Sequence, residues 1–63
     1  MFIMKSRKMT EWVGKRVVKR STGEVYEVDR VEYFRVILID HNGDEWAEHN
    51  GVVYRDYYEH EEE

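Results

Sequence analysis

The side chains of this chain that can do chemistry are carboxylates, histidines, tyrosines and tryptophans; cysteine is absent. Asp40, Asn42 and Asp44 alternate as oxygen ligands do at the start of a calcium loop. Such a loop also needs Gly at its sixth position and a bidentate Glu at its twelfth. Glu45 and Gly51 stand there instead, so a polar hairpin turn accounts for these residues. His41 and His49 lie near Asp40, Asp44 and Glu48. Two histidines flanking one short hairpin can approach each other, but structural zinc takes four ordered ligands. The histidines therefore read as solvated turn residues, and no metal or other cofactor is expected.

Covalent catalysis has little to draw on. The hydroxyls are Ser6, Thr10, Ser21, Thr22 and the tyrosines, and Ser21-Thr22-Gly23 is explained as a turn. Carboxylates are plentiful, but a small domain rarely forms the concave apolar pocket that shifts their pKa toward acid–base work. No glycine-rich loop is present to cradle a phosphate. The expectation is a non-enzymatic protein that binds a larger partner.

Three sets of residues carry that expectation. The aromatic set is Tyr26, Trp46, Tyr54 and Tyr57, with His41 beside it. A barrel this small cannot bury every ring, and exposed Tyr and Trp beside charges are typical of protein interfaces. The basic set is Lys15, Arg16, Lys19, Arg20 and Arg30, which could follow a nucleic-acid backbone. Arg16 and Arg20 share one strand phase while Lys15 and Lys19 share the other, so these charges cannot all lie on one face. The acidic set, including Asp40, Asp44, Glu45, Glu48, Asp56 and Glu59, could imitate a nucleic acid and occupy a basic site on another protein. Solubility of a small domain is its plainer explanation.

Charge is divided along the chain: residues 1–30 sum to +4 and residues 31–63 to −8, for a net −4. With a pI near 5.3 the domain is acidic, whereas nucleic-acid binders are usually basic. Met1-Phe2-Ile3-Met4 is too short an apolar stretch for a signal peptide or membrane span. The expected setting is therefore the cytoplasm, with no membrane partner.

These side chains need a scaffold, and 63 residues allow one domain with a small core. Proline is absent, so Gly, Asn, Asp and Ser must make the turns. Residues 1–10 carry Lys5, Arg7 and Lys8 without periodicity and read as a flexible basic arm. Thr10 to Val13 allow one helical turn before Gly14. Lys15–Arg20 and Glu24–Val31 read as strands, the second with Tyr26 and Val28 on one face and Glu27 and Asp29 on the other. Between Gly23 and Gly43 there is room for two strands and a connection near Tyr33-Phe34. Val36-Ile37-Leu38-Ile39 suits a strand covered on both faces. Asn42-Gly43 is a strong hairpin signal, Glu45–Glu48 a return strand, His49-Asn50-Gly51 a turn, and Val52–Tyr58 a last strand. Residues 59–63 read as a disordered acidic tail. The sum is an all-β domain: a small five-stranded SH3-like barrel over residues 11–58, between the arm and the tail.

The stretch from Trp12 to Tyr58, about three-quarters of the chain, resembles Tudor-like and related SH3-like barrels. The similarity rests on Trp12-Val13-Gly14-Lys15, on Tyr26, on Val36-Ile37-Leu38-Ile39-Asp40 running into His41-Asn42-Gly43-Asp44, and on Glu45-Trp46. Tudor domains that read methylated Lys or Arg use an aromatic cage, and the resemblance matches Tyr26 to one cage position. Val17 and Val18 stand where the family usually has an aromatic, and His41 replaces the one expected near the turn. What the resemblance implies is thus the fold.

The functional expectation is an interaction module for a protein partner, acting as a monomer or weak homodimer through Tyr26, His41, Trp46, Tyr54 and Tyr57. The alternatives are a nucleic-acid-binding barrel using the basic set and an acidic inhibitor of a host or regulatory protein.

Overall fold

The computed structural model describes residues 8–60. The expected arm and tail lie mostly outside them, at residues 1–7 and 61–63. The described chain opens with a 3-10 helix, Met9–Trp12, followed by β1 (Arg16–Lys19), β2 (Val25–Glu32), β3 (Arg35–Ile39), β4 (Glu45–His49), α1 (Asn50–Asp56) and β5 (Tyr57–Glu59). Met9 is 5% exposed and belongs to the core, and β5 runs to Glu59.

The five strands form one antiparallel sheet in the order β4-β3-β2-β1-β5. Each of the first three hairpins joins sequence neighbours, and β5 returns to pair with β1 through Val17↔Glu59 and Lys19↔Tyr57. The sheet is not closed: β4 and β5 are its two edges. The expected closed barrel needed a long last strand at residues 52–58. Residues 50–56 are helical instead, and the three residues of β5 pair only along β1.

The helix forms despite the β-favouring run Val52-Val53-Tyr54 because tertiary contacts outweigh propensity over so few residues. His49 is its N-cap, with Nδ1 accepting the Gly51 N–H at 2.9 Å. Val53 is fully buried against the sheet.

Alternation along the strands decides which face is inner. Val17, Tyr26, Val28, Val36 and Leu38 point inward and pack with Met9 and Trp12 of the 3-10 helix, Val53 of α1 and Tyr57 of β5. The run Val36-Ile37-Leu38 is buried on both faces, as its unbroken apolar character requires. A bulge at Asp29 separates the pairs Val28↔Leu38 and Arg30↔Ile37, and beyond it Val31 packs against the core.

The turns differ in how they satisfy sterics. Gly43 ends the β3–β4 turn with φ 86°, a left-handed conformation that glycine adopts without penalty. The β2–β3 turn, Tyr33-Phe34, has no such residue, and Tyr33 itself takes φ 57°. Its ring is 96% exposed, so no packing offsets the strain.

Candidate functional site

The inner face of the sheet is covered by the 3-10 helix and α1 over part of its area. Elsewhere it carries Tyr26 of β2, Trp46 and Glu48 of β4, and Tyr57 of β5, placed there by the register Leu38↔Trp46, Val36↔Glu48 and Lys19↔Tyr57. With Lys19, Glu24, Asp40 and His41, these side chains line a groove of about 410 Å³.

The aromatic floor is fixed by packing. Tyr26 and Tyr57 meet edge-to-face, with ring centroids 5.8 Å apart at 73°. Both are core residues, 9% and 2% exposed, and offer the groove only part of each ring. Trp46 is 53% exposed and forms the accessible wall.

The carboxylates are fixed by hydrogen bonds. Tyr26 Oη donates to Glu24 Oε1 at 3.0 Å, and Thr22 Oγ1 donates to the same oxygen at 3.3 Å while accepting the Glu24 N–H at 3.2 Å. Asp40 organises the β3–β4 turn: Oδ1 accepts the N–H groups of Asn42 and Asp44, each at 2.9 Å. Its Oδ2 accepts Trp46 Nε1 at 2.8 Å, which orients the indole. A turn carboxylate and an exposed ring are thereby locked into one unit.

Titration behaviour follows from this arrangement. The Trp46 indole N–H, and then the Asp44 and Asn42 amides, hold the Asp40 carboxyl below its usual range. Burial, reinforced by Glu48, pushes the Tyr57 hydroxyl up to about 12. Burial and the bond to Glu24 raise Tyr26 as well. At neutral pH both phenols are uncharged, and Glu24, Asp40 and Glu48 face Lys19, the single Lys or Arg among the described groove-lining residues. A groove with ring faces and excess negative charge suits a cation.

Of the aromatic set expected to bind a partner, Tyr26, His41, Trp46 and Tyr57 converge here. Tyr54 does not: it sits on α1, edge-to-face with Trp12 at 5.8 Å. The basic set is dispersed. Lys15 Nζ lies 3.6 Å from Glu59. Arg20 covers the Tyr58 ring at 5.2 Å, and its Nε donates to the Arg55 carbonyl. Arg30 is surrounded by Glu32, Asp29 and Glu45, which raise its pKa in that order. Arg16 stands opposite Glu27 in the β1–β2 ladder.

The two histidines, read as solvated turn residues, lie at opposite ends of β4: His41 is in the turn before it and His49 ends it. Their separation is about 13 Å or more, from the rise of a strand. His49 is occupied in capping α1 and stacks on Phe34, with centroids 6.2 Å apart at 14°. Among the described residues, no three His, Asp or Glu side chains are grouped so as to hold a metal. No helix among them is long and apolar enough to cross a membrane.

Sequence reasoning did not assign Glu24, Asp40 and Glu48 to the same site as the aromatics. A signal existed: Glu24 shares its strand phase with Tyr26, and Asp40 and Trp46 flank the Asn42-Gly43 turn. Tyr33 and Phe34, 96% and 68% exposed, were read only as a connection. No family model matches this chain, and no curated protein or solved structure is significantly similar to it.

Proposed function

We propose that this domain is a non-enzymatic interaction module that takes a cationic segment of a protein partner into the groove formed by Tyr26, Trp46 and Tyr57. The observation that carries this reading is the convergence of three rings with Glu24, Asp40 and Glu48 in one groove. A Lys or Arg side chain laid against Trp46 would gain cation–π attraction and meet preformed carboxylates. Asp40 and Trp46 are already bonded to each other, so little order has to be created on binding. Within this reading the open sheet is an SH3-like arrangement, supported by the pairing of β5 with β1 after a short helix.

The nucleic-acid alternative draws less support. Lys15 and Arg30 have carboxylates beside them, and Arg20 is engaged with a ring and a carbonyl. A phosphate backbone would have to displace these contacts while facing an acidic domain.

Calorimetry with a Lys/Arg-rich peptide, its Glu-substituted counterpart and single-stranded DNA of similar length tests the proposal. Only the basic peptide should bind, and Trp46→Ala should weaken it about tenfold, as expected for an aromatic anchor. Binding of DNA alone, or peptide affinity unchanged in Trp46→Ala, would overturn it.

A further inference from the structure

The edge strand β4 is self-complementary, and we infer that it pairs antiparallel with β4 of a second copy of this chain about a two-fold axis at Ala47. The argument begins with backbone directions. Asn50 N–H donates to the Phe34 carbonyl at 2.7 Å, and Asp40 N–H donates to the Asp44 carbonyl at 3.0 Å. In an antiparallel ladder alternate residues address the same neighbour. Asp44, Trp46, Glu48 and Asn50 therefore turn their backbone groups to β3, while Glu45, Ala47 and His49 turn theirs outward. No strand among the described residues covers that edge. Glu45, Trp46, Ala47 and His49 are all exposed.

Only certain registers can use those outward groups. A two-fold axis can pass through an outward-facing residue, Glu45, Ala47 or His49, or through a non-hydrogen-bonded pair centred on Trp46 or Glu48. The last two oppose carboxylates, Asp44 against Glu48 of the second copy or Glu48 against Glu48. Centring on Glu45 sets two carboxylates opposite each other, and centring on His49 runs β4 into the helix of the other copy. Centring on Ala47 sets Ala against Ala, Glu45 against His49 of the second copy, and Trp46 against Glu48 of the second copy. No like charges face each other, and the smallest side chain of the strand lies on the axis. Arg35 lies next to His49 in the ladder and supplies the positive charge at the end that receives Glu45. His49, whose Nδ1 accepts the Gly51 N–H, keeps its Nε2 side for the cross-strand contact. The same two contacts occur twice by symmetry. The product is one continuous sheet through both copies, with Trp46 brought to the junction.

Sedimentation equilibrium across a wide concentration range, with circular dichroism to verify folding, tests the pairing. The wild-type chain should show a concentration-dependent monomer–dimer equilibrium. Glu45→Lys sets Lys against His49, and His49→Asp, which keeps a good N-cap residue, sets Asp against Glu45. Each variant alone should dimerise at least about tenfold more weakly, since like or mismatched cross-strand charges act twice. An equimolar mixture should recover dimerisation. In the mixed dimer the introduced lysine of one copy faces the introduced aspartate of the other, and the second contact is the wild-type pair of Glu45 with His49. A wild-type chain that stays monomeric throughout, a dimer indifferent to both substitutions, or a mixture that fails to associate would each overturn the inference.

Discussion

Asp40 shows how one carboxylate can serve both the fold and the site. It closes the β3–β4 turn and orients Trp46 at the same time. Its folded pKa lies below the ordinary value of 3.8, so its contribution is fully present above that value and is lost as pH falls through the lower folded one. Acid titration followed by the Trp46 indole N–H resonance should show the ring released only below about pH 4, with Asp40→Asn removing the transition. An indole signal that moves near pH 6 in the wild type would contradict this. Tyr57 has the opposite sign. Its folded pKa of about 12 exceeds the ordinary 10.0, so its neutral form is favoured in the fold. The resulting stability is intact below pH 10 and disappears toward pH 12. Tyr57→Phe should flatten that alkaline loss in chemical denaturation performed at successive pH values. The hairpin signal at Asn42-Gly43 placed Asp40 near Trp46, but the coupling of Tyr57 to Glu48 was not readable from the sequence, because those two become neighbours only through the sheet order.

Strands proved more legible than the helix. The unbroken apolar run Val36–Ile39 and the alternation around Tyr26 and Val28 reflect burial directly, and both became strands with the expected faces. The Asn42-Gly43 signal marked a real hairpin because Gly43 needs a left-handed φ. Helix α1 was misread as a strand since Val52, Val53 and Tyr54 favour β structure, and the His49 cap and the burial of Val53 are not local propensities. At the β2–β3 turn the sequence violates the turn code: Tyr33 occupies a position that favours Gly or Asn. Tyr33→Gly should therefore stabilise the fold by roughly 1 kcal/mol, since the strain is relieved and an exposed ring is lost. Thermal denaturation measures it. A destabilised variant would mean that the ring makes a contact offsetting its strained backbone.

For the molecule as a whole, small size leaves a narrow margin. A 63-residue domain has a stability of about 3–9 kcal/mol by the usual per-residue range. Leu38 is fully buried at the centre of the sheet, and Leu38→Ala should lose about 2–5 kcal/mol. Urea denaturation should find that variant largely unfolded or with a clearly lowered midpoint, whereas Tyr54→Ala on the exposed side of α1 should lose less. The charge division seen along the chain does not become a division of faces. Lys15 meets Glu59, Arg30 meets Glu45, and Lys19 enters the acidic groove. The β1–β5 and β2–β3 ladders bring parts of the basic first half against the acidic second half. What remains is the groove at Tyr26, Trp46 and Tyr57, and its proposed cationic occupant is the central claim. The most direct measurement is an amide and indole chemical-shift map during titration with a Lys/Arg-rich peptide. The account predicts saturable shifts confined to Tyr26, Asp40, Trp46, Glu48 and Tyr57 and their neighbours, including the Trp46 indole N–H. Shifts centred instead on Glu32, Tyr33 and Phe34, or spread evenly over every exposed carboxylate without saturation, would contradict it.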